Sequence, residues 1–280
     1  MFYDAVLFNQ PLDTWDVSRV QDMSLLFAGA IAFNQNISTW RTDQTTNLTS
    51  TFDRAHSFNY PLNAWNVSQV TEMNFTFRQA QSYNLPLDGW DTSRVTSMTM
   101  MFAQAQRFDQ NINDWDVSNV VAMDSMFSQA TSFNSPLNKW NTVAVVNASA
   151  MFEGAVLFNQ PINSWDVANV ETFASMFAGA KAFDQPLNEW NTRSARSFES
   201  MFSDAVAFNQ NVSFFNVSNT RTMSHMFQGA TSFRQNVCRW GLTLYYNTSV
   251  DQMFQGTSCP STNDPILATI PPGPFCSPCQ

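Results

Sequence analysis

The sequence predicts an α/β repeat protein, a stack of about 10 to 11 coils that each contribute one short strand and one short helix to a shared core. Three observations predict it. The chain repeats with a 25-residue period and no gap for nine turns. All tryptophans fall in one column of that period, at Trp15, Trp40, Trp65, Trp90, Trp115, Trp140, Trp165, Trp190 and Trp240, with Phe215 in the remaining place. Apolar residues inside each unit follow two periodicities, one helical and one alternating. A column of this kind cannot arise from composition, and units too small to bury a core alone do so by stacking.

Within one unit, Trp15-Asp16-Val17-Ser18 alternates large apolar with small polar residues, as a half-buried strand does. Val20, Met23, Phe27 and Ala30 are spaced +3, +4, +3 and predict a short helix over roughly 21–31. A bend follows at Phe33-Asn34-Gln35, and prolines such as Pro11, Pro61 and Pro136 mark the same place in other units because they cannot continue a helix. The Phe2, Ala5, Phe8 and Leu12 columns complete the expected core. Asn or Asp recurs after two of the aromatic columns, at Asn9, Asn34, Asn59 and onward and at Asp16, Asn66, Asp91 and onward. These side chains read as caps on backbone N–H groups at the bends, with a row of calcium sites as the other reading.

Three regions follow: a repeat array over 1–237, a last atypical coil with a disulfide-closed cap over 238–262, and a Pro-rich tail or linker over 263–280. The cysteines Cys238, Cys259, Cys276 and Cys279 are confined to the last two regions, and their even number predicts disulfides. Zinc is the rival, because Cys276 and Cys279 are spaced C-x-x-C, and three disulfide pairings stay open. Met1-Phe2 already sits in frame, which predicts that the chain is a piece of a longer protein and accounts for a start that does not read as a signal peptide.

Charged residues are only 12% of the chain and the net charge is −9, so Lys and Arg are too few and too scattered for a nucleic-acid partner. No apolar run is long enough to span a bilayer. The two histidines, His56 and His225, lie about seven turns apart, and the chain has no phosphate loop, nucleophile elbow or metalloprotease motif. A non-enzyme without a cofactor is expected. Asn-x-Ser/Thr acceptors occur at Asn36, Asn47, Asn66, Asn74, Asn147, Asn211, Asn216 and Asn247, with a weaker Asn236-Val237-Cys238. They predict N-glycosylation if the source is a eukaryote, and are otherwise ordinary turn asparagines.

The string Met-Phe-x-x-Ala-x-x-Phe-Asn-Gln-Pro-Leu-x-x-Trp-Asp-Val-Ser-x-Val-x-x-Met, read from residues 1–23 and recurring nearly whole at 101–123 and 151–173, resembles the repeats of BspA-type leucine-rich-repeat surface proteins. The resemblance covers about 1–257. It implies a right-handed, leucine-rich-repeat-like solenoid at the cell surface or secreted, with adhesion or matrix binding as its role. The expected partner is a protein or glycan surface, or copies of the chain itself in an extracellular glycoprotein fibre assembled end to end.

Overall fold

A computed structural model describes residues 1–279. The repeats do stack, but the expected strand-plus-helix coil and the leucine-rich-repeat solenoid built from it are incorrect. Among the described residues there is no α-helix, and the one helical segment is the 3-10 turn Cys238–Leu242. There is no sheet either, only isolated bridges. The stretch read as a strand, Trp15–Ser18, takes part in none of them.

Each coil is instead a chain of β-turns. In the second coil, N–H groups reach back three residues from Leu26 to Met23 (3.2 Å), Ala28 to Leu25 (3.3 Å), Ala30 to Phe27 (2.9 Å), Phe33 to Ala30 (3.0 Å), Trp40 to Ile37 (3.2 Å) and Thr45 to Thr42 (2.9 Å). Between those turns the N–H groups leave the coil: Met23, Leu25, Phe27 and Gly29 donate to the carbonyls of Asn47, Thr49, Thr51 and Asp53 at 2.7–3.0 Å. One residue per coil also forms a parallel bridge to the next, from Asp22↔Asn47 through to Thr222↔Ser249.

This arrangement explains why the apolar spacing misled. The first and last residues of successive β-turns can both face inward, so turn corners place apolar residues three apart, as one face of a helix does. What decides is the destination of the N–H of Phe27: in a helix it would bond to Met23, and here it goes to Thr51 in the next coil. Left-handed φ at Leu25 (57°) and Gly29 (75°) turns the chain out of any helix, and the same two columns are left-handed at Ser50 and Arg54, Phe75 and Gln79, and Met100 and Gln104. The Leu25 column holds no glycine from Leu25 to His225, so side chains there tolerate a conformation that costs roughly 1 kcal/mol each. Bonds to the adjoining coils offset that cost.

The core is a set of aromatic stacks running along the array. Phe27, Phe52, Phe77 and Phe102 follow one another at 5.4–5.7 Å between ring centroids. Phe33, Phe58, Tyr83 and Phe108 form a second stack at 5.8–6.4 Å. Inside one coil the stacks touch, with Phe27 and Phe33 at 4.0 Å. The tryptophans close the third side. Each indole N–H from Trp40 to Trp190 donates to a carbonyl 28 residues earlier, at 2.9–3.0 Å, starting with Trp40 to Leu12 and ending with Trp190 to Ile162. A buried indole donor is thereby satisfied while its ring fills the core.

Two neighbouring coils are not quite equivalent. Two residues after the tryptophan the column alternates Val17, Thr42, Val67, Thr92, Val117, Thr142, Val167, Thr192, Val217. The threonine hydroxyls donate forward to carbonyls of the next coil, Thr42 to Asn66, Thr92 to Asp116, Thr142 to Asp166 and Thr192 to Asn216, at 2.9–3.1 Å. In those same pairs of coils the indoles stack, Trp40 on Trp65, Trp90 on Trp115 and Trp140 on Trp165, at 6.0–6.1 Å. The structural repeat is therefore a pair of coils.

At the C-terminal end the frame slips by two residues between Thr222 and Ser249, and the stack resumes with Phe254 on Phe227 at 5.8 Å. The slip is accommodated by the 3-10 turn and by Gly241, whose missing Cβ would lie 2.9 Å from the Phe275 ring. Two disulfides close this end, Cys238–Cys279 and Cys259–Cys276. Residues 263–279, read as part of a tail, fold back on the last coil: Ile266 and Gly273 form an antiparallel bridge, and Phe275 and Cys276 are fully buried.

Candidate functional site

The repeating polar residues are mostly committed to the array. Each Asn or Asp of the Asn9 column accepts the backbone N–H of its counterpart one coil on, from Asn34 onto Asn9 (2.9 Å) through Asp109 onto Asn84 (2.9 Å) to Arg234 onto Asn209 (3.0 Å). Glutamine side chains such as Gln110 and Gln210 donate to the same carbonyl or carboxylate oxygens at 2.9–3.0 Å. The Asp16 column caps its own bend: Asp16 accepts from the Ser18 N–H (3.0 Å) and Asp91 from that of Ser93 (3.1 Å). The Ser18 side chain holds the Asp16 carboxyl below the usual carboxylate range, and Ser93 does the same for Asp91. These oxygens are occupied by N–H donors, which is the capping reading of the two columns.

One buried carboxylate is likewise satisfied. Asp53 takes two hydrogen bonds from the Arg78 guanidinium at 2.7 and 2.8 Å, and those bonds push the Arg78 side chain further above its already high pKa. The disulfides account for all four cysteines, so the zinc alternative for Cys276 and Cys279 falls. The core tryptophans are buried except Trp15, which is 42% exposed on the first coil.

The glycan acceptors divide by accessibility. Asn36, Asn66, Asn211, Asn216 and Asn247 are exposed, whereas Asn47, Asn74 and Asn147 are half-buried. Asn47 and Asn147 lie in the column that forms the parallel bridges. The Asn74 amide donates to Glu72 at 3.0 Å and its oxygen accepts the Thr99 N–H at 3.0 Å. The five exposed positions are those a modifying enzyme could reach.

The feature missed by the repeat pattern lies where the repeat is least regular on its outer surface. A groove of about 590 Å³ is lined by Glu171, Arg193, Ser194, Arg196, Asn219 and Arg221. It runs into a recess of about 450 Å³ that shares Asn219 and Arg221 and adds Thr220, Tyr245 and Asn247. A third recess, about 390 Å³, lies nearby in sequence around Phe214, Phe215, Arg239 and Trp240. Another, of about 420 Å³, overlies the left-handed turns at Gly154, Gly179 and Asp204.

The groove is positioned by the array itself. Arg196 donates its N–H to the Glu171 carbonyl (2.8 Å) and Arg221 to the Arg196 carbonyl (2.9 Å), so three charged side chains emerge from one column on consecutive coils. Arg196 forms an ion pair with Glu171 at 3.2 Å. Asn219 donates to the Arg193 carbonyl at 2.8 Å and Ser194 to the Ala168 carbonyl at 2.7 Å, which secures the groove floor. The signal was present in the sequence: this column reads Thr46, Thr71, Thr96, Val121, Val146 and then changes to Glu171, Arg196, Arg221.

No helix among the described residues is long and apolar enough to cross a membrane. No curated protein matches the chain. A family model described as a Mycoplasma protein of unknown function, DUF285, matches it three times, over residues 1–102, 77–185 and 158–266. The three matches overlap, and each begins about three coils after the one before. The matches together span nearly the whole tandem array and its cap, and the chain belongs to this DUF285 family of tandem-repeat proteins.

Proposed function

We propose that the chain is an extracellular, non-catalytic binding protein of the adhesion or matrix-contact type, in which the repeat array is a scaffold and its C-terminal coils carry the binding surface. The observation that carries this reading is the placement of three recesses between Glu171 and Asn247, lined by the exposed Arg193, Arg196, Arg221 and Arg239 with the exposed aromatic rings of Phe214 and Tyr245 beside them. Two disulfides beside them support an oxidising location. The likeness of the repeats to BspA-type surface proteins supports the same role.

The fibre alternative needs two open stacking faces, because only a head-to-tail contact that does not close builds a filament. The folded-back 263–279 segment covers the last coil with Phe275 and Cys276, which favours binding over end-to-end assembly. The test is thiol alkylation and surface proteolysis on intact source cells. All four cysteines should resist alkylation without reductant, and protease added outside should cleave the protein. Free thiols together with full protection from external protease would overturn the assignment.

A further inference from the structure

Resting on that binding reading, we propose that the groove over residues 171–247 takes an acidic saccharide, with a carboxylate or sulfate held between Arg196 and Arg221 and a sugar ring laid against Tyr245. Arg196 and Arg221 leave adjacent coils from the same column, because the Arg221 N–H bonds directly to the Arg196 carbonyl at 2.9 Å. Like charges at directly opposed positions repel. In a chain with 13 basic residues and a net charge of −9, three arginines in one groove are a local reversal of sign. Glu171 offsets Arg196 at 3.2 Å, but among the described residues neither Arg193 nor Arg221 is in an ion pair. A guanidinium pair of this kind is matched by a two-oxygen anion, which bonds to the planar donors and removes the repulsion.

The rest of the lining selects among anions. The Ser194 hydroxyl hydrogen and one amide hydrogen of Asn219 are spent on backbone carbonyls, which leaves both side-chain oxygens as acceptors and one Asn219 N–H as a donor. Acceptors suit a ligand that carries hydroxyl donors beside its charge, and do nothing for bare phosphate or sulfate. The groove continues past Arg221 to Tyr245, which is 60% exposed and sits next to Asn247. An exposed aromatic face at the end of a charged, hydroxyl-compatible groove fits the apolar face of a sugar ring.

The experiment measures binding of the purified, disulfide-intact chain to a uronic-acid polysaccharide, a sulfated polysaccharide, a neutral glucan, polyglutamate and inorganic sulfate. Tighter binding to one of the two acidic polysaccharides than to the glucan, polyglutamate or sulfate is expected. The double variant Arg196→Gln/Arg221→Gln should weaken it about tenfold or more, with an unchanged unfolding midpoint because both side chains are exposed. Glu171→Gln should strengthen it several-fold by releasing Arg196, and Tyr245→Ala should weaken polysaccharide binding while leaving sulfate binding unchanged. Equal affinity for polyglutamate, insensitivity to the double variant, or no acidic-polysaccharide binding would each overturn the ligand assignment. The surface reading is judged separately by the thiol and protease measurement, so either can fail alone.

Discussion

Between Met23 and Val237 every coil meets a near-copy of itself, whereas residues 238–279 meet the last copy with a chain that no longer repeats. In the array, the recurring hydrogen bonds keep fixed offsets: N–H groups donate onto the next coil, indoles onto a carbonyl 28 residues back, and Asn9-column oxygens accept the N–H of the coil that follows. In the end segment those offsets fail. Trp240, alone among the buried tryptophans, has an indole nitrogen without a partner among the described residues. Covalent closure by Cys238–Cys279 and Cys259–Cys276 replaces the lost regularity. Repetition stabilises by reusing a small set of interfaces, and where the interface is unique the chain uses disulfides, which constrain its unfolded state.

The comparison is broken most directly by tryptophan truncation. Trp115→Ala, in mid-array and 3% exposed, should cost about 3–5 kcal/mol in urea unfolding, since it leaves a cavity and removes one of the two hydrogen bonds to the Leu87 carbonyl. Trp15→Ala, on the first coil, should cost less, about 2 kcal/mol, because the ring is already 42% exposed. Equal costs at the two positions would mean that coil-on-coil burial is not what stabilises the array.

Next in size is removal of one staple. Cys259→Ser/Cys276→Ser opens a link between residues 17 apart and should cost roughly 3 kcal/mol. Hydrogen exchange should rise over about 250–279 and stay unchanged before Ser200. A rise along the entire chain would show that the cap is not a separate stabilising device.

The polar ladder is a smaller contributor. Asn84→Ala removes the acceptor for the Asp109 N–H and the Gln110 amide, both at 2.9 Å, and should cost about 1–2 kcal/mol by thermal or denaturant unfolding. No measurable loss would assign the Asn9 column to solubility alone. The smallest expected effect has the opposite sign. Tyr83 stands in a column that is otherwise Phe from Phe8 to Phe233, fully buried, with no partner for its hydroxyl among the described residues, and burial pushes its pKa upward. Tyr83→Phe should therefore stabilise by about 1 kcal/mol, and a loss of stability would reveal a role for the hydroxyl.

Much of the interior was legible in advance. Trp40 through Trp190, and from the second coil on the Phe27 and small Ala30 columns, are all buried, as their regular recurrence implies. The secondary structure was not legible, since a spacing of three and four belongs equally to a helix face and to turn corners. Leu25 and Phe75 occupy left-handed positions that no propensity scale assigns to leucine or phenylalanine, so nothing local announced the break. The groove was missed for a related reason. Attention to what recurs hides the place where a column changes, and Glu171, Arg196 and Arg221 matter because they depart from the threonines and valines before them.

By itself the sequence determined the period, the columns and the side chains that face inward, because stacking identical units makes burial a property of position within the repeat. Only the tertiary structure decided where the backbone hydrogen bonds go. A β-turn closes locally through the carbonyl three residues back, but the N–H of Phe27 can bond within its own segment or to Thr51 one coil away. That choice depends on the neighbour already being in place, and no window of sequence shorter than two coils contains it.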